Sequence, residues 1–514
     1  MANWIGRMAG RAVALPLALT LLFALAGPAQ ARWLEARSSL FDVFSDGDEA
    51  QLRAFVQSLQ NYDELLRLTT ETNAPPSPNR LVIYLVGGSL GVYQVDPHAA
   101  LGVAGFYAPE VEGVLAVAER RTINEAWASA QAVIFHEYTH HFVNQYYPGV
   151  YPAWYQEGFA EYCSTAKFKG DIVTLGEPLP ERLQPLFHQP WMPIADVIAP
   201  PPYRTSVTSG PMFYPEAWLA THYLLRDDDR RQRLIDYLLA LRKGSAPKAA
   251  FETSFGMDFP TFQRALVSYL NGNSITYSQI HLPAPLPVAQ ITVTELPPSA
   301  DRLLLLRARL IAGSVLPAEA PALVSQVRAA AAAFPDDALA LRTLARAEVF
   351  FGDPDKADAP LDRLLAAHPD DVEAVYLKAM RYQRAFLWGH ANTPQLLDRA
   401  RSYLQKARKL DPDFYPAAFQ LATNLTLTGG WPTEEAIAND LDAHRLAPQV
   451  DEITYGAALA LLRAKRPADA KPLLEMVAYD PHPTSLSAAA RMMLAQANGV
   501  VPAGAPGGAP SAAP

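Results

Sequence analysis

The sequence predicts an α+β domain arranged around a metal-binding helix pair, followed by an all-α solenoid of helical hairpins. Three observations carry this reading. His136-Glu137-Tyr138-Thr139-His140 is followed at short range by Glu157-Gly158-Phe159-Ala160-Glu161. Ahead of them, Leu81-Val82-Ile83-Tyr84-Leu85-Val86 is a β-rich run that ends in Gly87-Gly88. Far beyond them, prolines recur after helix-like runs at Pro335, Pro369, Pro412, Pro448 and Pro481.

Taken in order, residues 1–31 read as a secretory signal. Arg7 and Arg11 supply a positive start, 12–26 an apolar core, and Ala29-Gln30-Ala31 a small-x-small cleavage site. The mature chain is therefore expected to be exported, periplasmic or extracellular. The apolar run is too short for a spanning helix, so no stable membrane anchor is expected after cleavage. Residues 49–68 place Leu52, Phe55, Leu59, Leu65 and Leu66 at helical spacing. The run 81–86 reads as a central strand, and 103–107 and 113–118 as two more joined by a turn containing Pro109. A helix is expected over about 124–146, stopped by Pro148-Gly149, and Pro152 can open the next one. Residues 180–272 read as mostly helical, completing a domain over 32–272. Residues 273–298, rich in Pro and β-branched types, read as a linker. A helical domain over 299–498 follows, and the Ala/Pro/Gly-rich 499–514 reads as a disordered tail.

The helix pair carries the chemistry. Histidines at i and i+4 project from one helix face, so His136 and His140 can reach a single zinc ion. Glu137 lies beside them, where its carboxylate could take a proton from a metal-bound water. A catalytic zinc site needs a third protein ligand and keeps one position open. Glu157 is the obvious supplier, and Glu161 shares its face four residues on. His141 points about 100° away from His140 and reads as a supporting or surface residue.

Residues 133–165 resemble the gluzincin class of zinc peptidases, which includes thermolysin-like proteases and the aminopeptidase N family. The resemblance implies a zincin-like catalytic domain with His136, His140 and Glu157 as ligands and Glu137 as general base. It implies that Glu161 hydrogen-bonds a zinc histidine. It also implies a cleft-lining strand, for which 103–107 is the candidate, and a downstream tyrosine that stabilises the oxyanion. Tyr203 and Tyr214 are the candidates, with Tyr214 preferred and placed just before a helix. Gln156 stands where the aminopeptidases have Asn, and their Gly-x-Met-Glu-Asn motif is absent from this sequence.

The first proline spacing is 34 residues, the tetratricopeptide period. Ala357, Ala400 and Ala436 each stand twelve positions before one of these prolines. With Leu404 and Ala407 in register, the segment resembles a tetratricopeptide array, which implies a protein partner or substrate held by the repeats. The expected function is an exported zinc peptidase acting on peptides or proteins. The alternative is a repeat-type binding scaffold whose zincin domain is structural or inactive. A net charge of −9 without a basic cluster gives no support to nucleic-acid binding. Cys163 is the single cysteine, so no intrachain disulfide forms.

Overall fold

The computed structural model describes residues 32–100, 103–120, 130–200, 210–272, 275–282, 284–389, 393–427 and 433–497. The signal segment, the expected tail, the first residues of the 124–146 helix and Tyr203 lie outside these.

A six-stranded mixed sheet organises the first half. Its strands are β1 (Leu34–Arg37), β2 (Phe41–Ser45), β3 (Leu81–Val86), β4 (Gly105–Glu110), β5 (Gly113–Glu119) and β9 (Thr292–Glu295), in the order β4-β5-β3-β2-β1-β9. β3 runs parallel to both β2 and β5, while β4 pairs antiparallel with β5 as a tight hairpin at the sheet edge. Side chains alternate across the strands. Ile83, Leu85, Ala116 and Ala118 face one side, with helices α1 (Glu49–Thr70) and α3 (Ala130–Tyr146). Tyr84, Val86, Leu115 and Val117 face the other, with α2 (Ser89–Val95).

α3 is followed directly by α4 (Ala153–Ser164). The strands β6 (Lys167–Lys169) and β7 (Ile172–Leu175) pair next, as part of a small second sheet. A helical layer then comprises α5 (Pro180–His188), α6 (Ile194–Ile198), α7 (Phe213–Leu225), α8 (Asp228–Arg242), α9 (Pro247–Phe255) and α10 (Phe259–Asn271). This agrees with the helical expectation for 180–272.

The segment 273–298 is not a free linker. It supplies β8 (Ser278–His281), which pairs with β7, and β9, which pairs antiparallel with β1. Both strands are four residues long and partly exposed, so neither shows the buried alternation by which a strand is read. The boundary at 299 also shifts. The next helix, α11 (Ala300–Ile311), packs Ala300, Leu304, Ala308 and Ile311 onto the second face of the large sheet.

The remaining helices stack in antiparallel pairs. They are α12 (Ala320–Ala331), α13 (Ala338–Phe351), α14 (Asp358–Ala367), α15 (Val372–Leu387), α16 (Pro394–Leu410), α17 (Tyr415–Leu427), α18 (Glu434–Leu446), α19 (Asp451–Arg463), α20 (Pro467–Ala478) and α21 (Ser485–Ala497). Each of the five recurring prolines falls in a turn between pairs, where it cannot disturb a helix interior. Ala357, Ala400 and Ala436 are all buried, as close helix packing requires.

The repeats close on the first half of the chain. Three successive inner helices grip the tip of the β4–β5 hairpin. Arg346 on α13 pairs with Glu112 at 2.7 Å, Tyr376 on α15 donates to the same carboxylate at 2.6 Å, and Tyr415 on α17 donates to the Glu110 carbonyl at 3.0 Å. Val111 is buried in one apolar cluster with Tyr415, Phe419 and Val450. Arg346 is 2% exposed and also pairs with Glu373, so its charge is matched on both sides. Removing one member would strand a buried ion, which is strongly destabilising.

Candidate metal centre

The site is set by how α3 and α4 are held. α3 buries Ile134, Phe135, Tyr138 and Phe142 against the sheet and α1. Phe135 stacks on Tyr62 at 3.9 Å, Tyr62 and Thr139 hydroxyls share a hydrogen bond of 2.6 Å, and the Tyr138 hydroxyl donates to Asp63 at 2.7 Å. These contacts fix the rotation of α3 and turn His136 and His140 toward α4. α4 in turn lies close against α7. A Cβ at Gly158 would collide with the Ala217 carbonyl oxygen and the Thr221 hydroxyl, so glycine at this position allows the approach that seats Glu157.

His136, His140 and Glu157 converge. Their nearest ligand atoms form a triangle, with 3.2 Å between the two Nε2 atoms, 3.4 Å from His136 Nε2 to Glu157 Oε2, and 3.7 Å from His140 Nε2 to the same oxygen. Zinc bonds of about 2.0–2.1 Å at tetrahedral angles separate neighbouring ligands by about 3.3–3.4 Å. The triangle has that size. Glu157 is completely buried, and three imidazoles, His136, His140 and His482, face its carboxylate. A buried carboxylate needs a compensating charge, and a cation held between it and the imidazoles of His136 and His140 would supply one. The donor set and its spacing therefore fit zinc.

Electrostatics agree with the geometry. Burial works to raise the Glu157 pKa, but the charge of His140, together with His136 and His482, outweighs it and holds the carboxyl well below its usual range. Burial works to lower the His136 pKa, but Glu157, Glu161 and Glu137 push it up to about 9. A proton that these carboxylates hold on His136 would have to leave before the ring could bind a metal. Below about pH 9, protons and zinc compete for His136. Apparent zinc affinity should accordingly fall by about one log unit for each pH unit between 8 and 6. Chelator competition at pH 6, 7 and 8 measures this, and a pH-independent affinity would show that zinc displaces no proton from His136 in this range.

The other sequence candidates lie as follows. Glu161 is buried, with Oε1 3.6 Å from His136 Nδ1, the ring nitrogen that faces away from the triangle. Arg182 on α5 donates to the same oxygen at 2.6 Å and holds it there. Glu137 is half-buried, and its charge acts on His136, Tyr107, Tyr214 and His482. Tyr214 is the second residue of α7 rather than a residue before it. The Arg182 guanidinium lies 5.4 Å from its ring centre, and the charges of Glu157, Glu161 and Glu137 all reach its hydroxyl. Burial raises the Tyr214 pKa, so the hydroxyl remains a donor at neutral pH. His141 is not a surface residue. It is buried, Tyr107 on β4 hydrogen-bonds its Nδ1 at 2.9 Å, and burial lowers its pKa to about 4, so it stays neutral. The strand expected over 103–107 lies at Gly105–Glu110 as the edge strand β4, two residues later than expected. Cys163 is buried, and that burial pushes its thiol pKa up.

One residue was not foreseen. His482, in the turn between α20 and α21, places Nε2 3.1 Å from Glu157 Oε1 and sets its ring edge-on to His140, with centres 5.6 Å apart. A histidine between two prolines is the only trace it leaves in the sequence. Nothing local ties it to Glu157.

A tetratricopeptide repeat family model matches residues 338–380, spanning α13 to the middle of α15. The C-terminal region is a tetratricopeptide-like all-α solenoid. Among solved structures, a thermophilic TPR protein of Thermus thermophilus is 20% identical, with a TM-score of 0.32, over 39% of this chain and 98% of its own. A crystal structure of MamA is 18% identical, with a TM-score of 0.25, over 31% of this chain and 89% of its own. A second, MamA AMB-1, is 23% identical, with a TM-score of 0.23, over 34% and 96%. No curated protein matches the chain. Among the described residues, no helix is long and apolar enough to cross a membrane.

Proposed function

We infer that this chain is an exported zinc-dependent peptidase whose repeats engage a protein partner or substrate. The observation that carries the enzymatic part is the buried triangle of His136, His140 and Glu157 at zinc-ligand spacing. When bound there, zinc would act as a Lewis acid on a peptide carbonyl and make a water more acidic. The remaining work falls to side chains. Glu137 accepts the proton of the attacking water and returns it to the leaving amine. Tyr214 donates a hydrogen bond to the carbonyl oxygen as it becomes negative. Glu161, held by Arg182, orients His136 through Nδ1.

Removing the Tyr214 hydroxyl as Tyr214→Phe should lower turnover on the order of 10²–10³-fold with little change in substrate affinity. Steady-state kinetics on a peptide substrate read both values, and unchanged turnover moves the oxyanion role to Tyr203 or another donor.

A second reading is favoured by a specific observation. The family match falls on the repeats alone, and repeats of this kind are protein-binding scaffolds. On that reading the zincin-like domain is structural or inactive. Cleavage of a denatured protein by the zinc-loaded chain decides between them. Cleavage that a chelator abolishes and zinc restores supports the peptidase, whereas bound zinc without cleavage supports the scaffold.

A further inference from the structure

We propose that His482 is a positioning residue of the metal centre: from the repeat region it holds the outer oxygen of the Glu157 carboxylate, so that the inner oxygen stays on the ion. The inference rests on the metal-site reading above. Glu157 Oε2 faces His136 Nε2 at 3.4 Å and His140 Nε2 at 3.7 Å, which makes it the inner oxygen. His482 comes from the other side, with Nε2 3.1 Å from Oε1. That separation is hydrogen-bond distance for a ring N–H. His482 stands outside the His136–His140–Glu157 group, so it acts on the ion only through Glu157.

The carboxylate needs such a contact. The terminal torsion of a glutamate is soft, and rotation about it exchanges one oxygen for the other. α4 fixes the Glu157 backbone, but the plane of the carboxylate is set by what its oxygens meet. Glu157 is completely buried, so bulk water does not solvate Oε1. A donor fixed beside Oε1 both satisfies that oxygen and pins the plane with Oε2 toward the histidines. A neutral imidazole with its hydrogen on Nε2 can donate, so the contact does not depend on a charged ring.

The turn that presents His482 is built rather than loose. The residue stands between Pro481 and Pro483, each with a ring-restricted φ. Its backbone N–H donates to Asp480 Oδ1 at 2.7 Å, closing a local turn. The Thr484 N–H donates to Ser487 Oγ at 3.0 Å, and its hydroxyl donates to Asp451 Oδ2 at 3.1 Å. The ring of His482 meets that of His140 edge-on at 85°. Its own repeat thus aims the imidazole at Glu157, and the grip of α13, α15 and α17 on the β4–β5 hairpin holds the repeats against the first half. The docked repeats complete the support of the metal ligand.

The test compares full-length wild type with His482→Ala, His482→Phe and His482→Gln, each loaded with zinc alone. The side chain is 57% exposed, so these substitutions leave the core untouched. Phenylalanine keeps a flat ring without a donor, whereas glutamine offers an amide N–H at a similar reach. Chelator competition should show zinc affinity down roughly 10–100-fold in His482→Ala and His482→Phe, the range for losing a contact to a metal ligand, and recovered in His482→Gln. X-ray absorption at the zinc edge should count the same two imidazoles in all four proteins. Equal affinities in all four would overturn the proposal and leave the three-ligand site standing. Equal losses in all three variants would assign the effect to packing and overturn it too. A further imidazole in wild type that disappears in His482→Ala would make His482 a ligand, which also contradicts the positioning role. No bound zinc in wild type would overturn the proposal together with the metal site beneath it. None of these readouts requires hydrolysis, so the result stands apart from the peptidase reading.

Discussion

Glu137→Gln should keep its zinc and lose hydrolysis, with turnover down about 10²–10⁴-fold, the range for removing a general base. The amide has the shape of the carboxylate but cannot accept a proton from water. Glu137 is on α3 next to His136, yet it is not a member of the His136–His140–Glu157 triangle. Metal binding and proton transfer can therefore be separated by a single substitution. Zinc content and single-turnover cleavage, measured on the same preparation, check both halves of the expectation. Loss of metal together with hydrolysis would make Glu137 a structural residue. Full activity would assign the proton to another group.

The two acidic residues of α4 should separate just as clearly. Glu157→Ala removes one corner of the triangle, leaves the α3 histidines alone on that face, and should abolish most zinc binding. Glu161→Ala removes a contact made to His136 Nδ1, on the far side of the ring. It should weaken zinc binding by only about 10–100-fold. Thermal unfolding reads the same difference, because a ligand that binds the native state raises its stability. Added zinc should raise the Tm of wild type and of Glu161→Ala, and leave that of Glu157→Ala unchanged. A larger loss of affinity at Glu161 than at Glu157 would exchange their roles.

Much of this arrangement was legible in the sequence because it is local. His136 and His140 share a face through helix geometry alone, and Glu157 and Glu161 share another for the same reason. The repeats announced themselves through prolines that fall in the turns between helix pairs and alanines that fall at close contacts. What the sequence does not reveal depends on pairing across distance. β1 and β2 are four and five residues long and gain their place only by pairing with β9 and β3. β8 and β9 sit in a proline-rich stretch with exposed faces, so they read as linker. α11 looks like the first helix of the repeats, yet its apolar face covers the sheet. His482 is the extreme case, since only the docking of the repeats brings it to Glu157. The Glu112–Arg346–Tyr376 cluster was equally unreadable, because its members belong to different halves of the chain.

The central claim is that His136, His140 and Glu157 hold one zinc ion, and metal content tests it most directly. Wild type and the double variant His136→Ala/His140→Ala are reconstituted with zinc, dialysed and analysed for metal per chain. One zinc in wild type and none in the double variant is the predicted result. No zinc in wild type, or one zinc retained after both imidazoles are removed, would contradict the account.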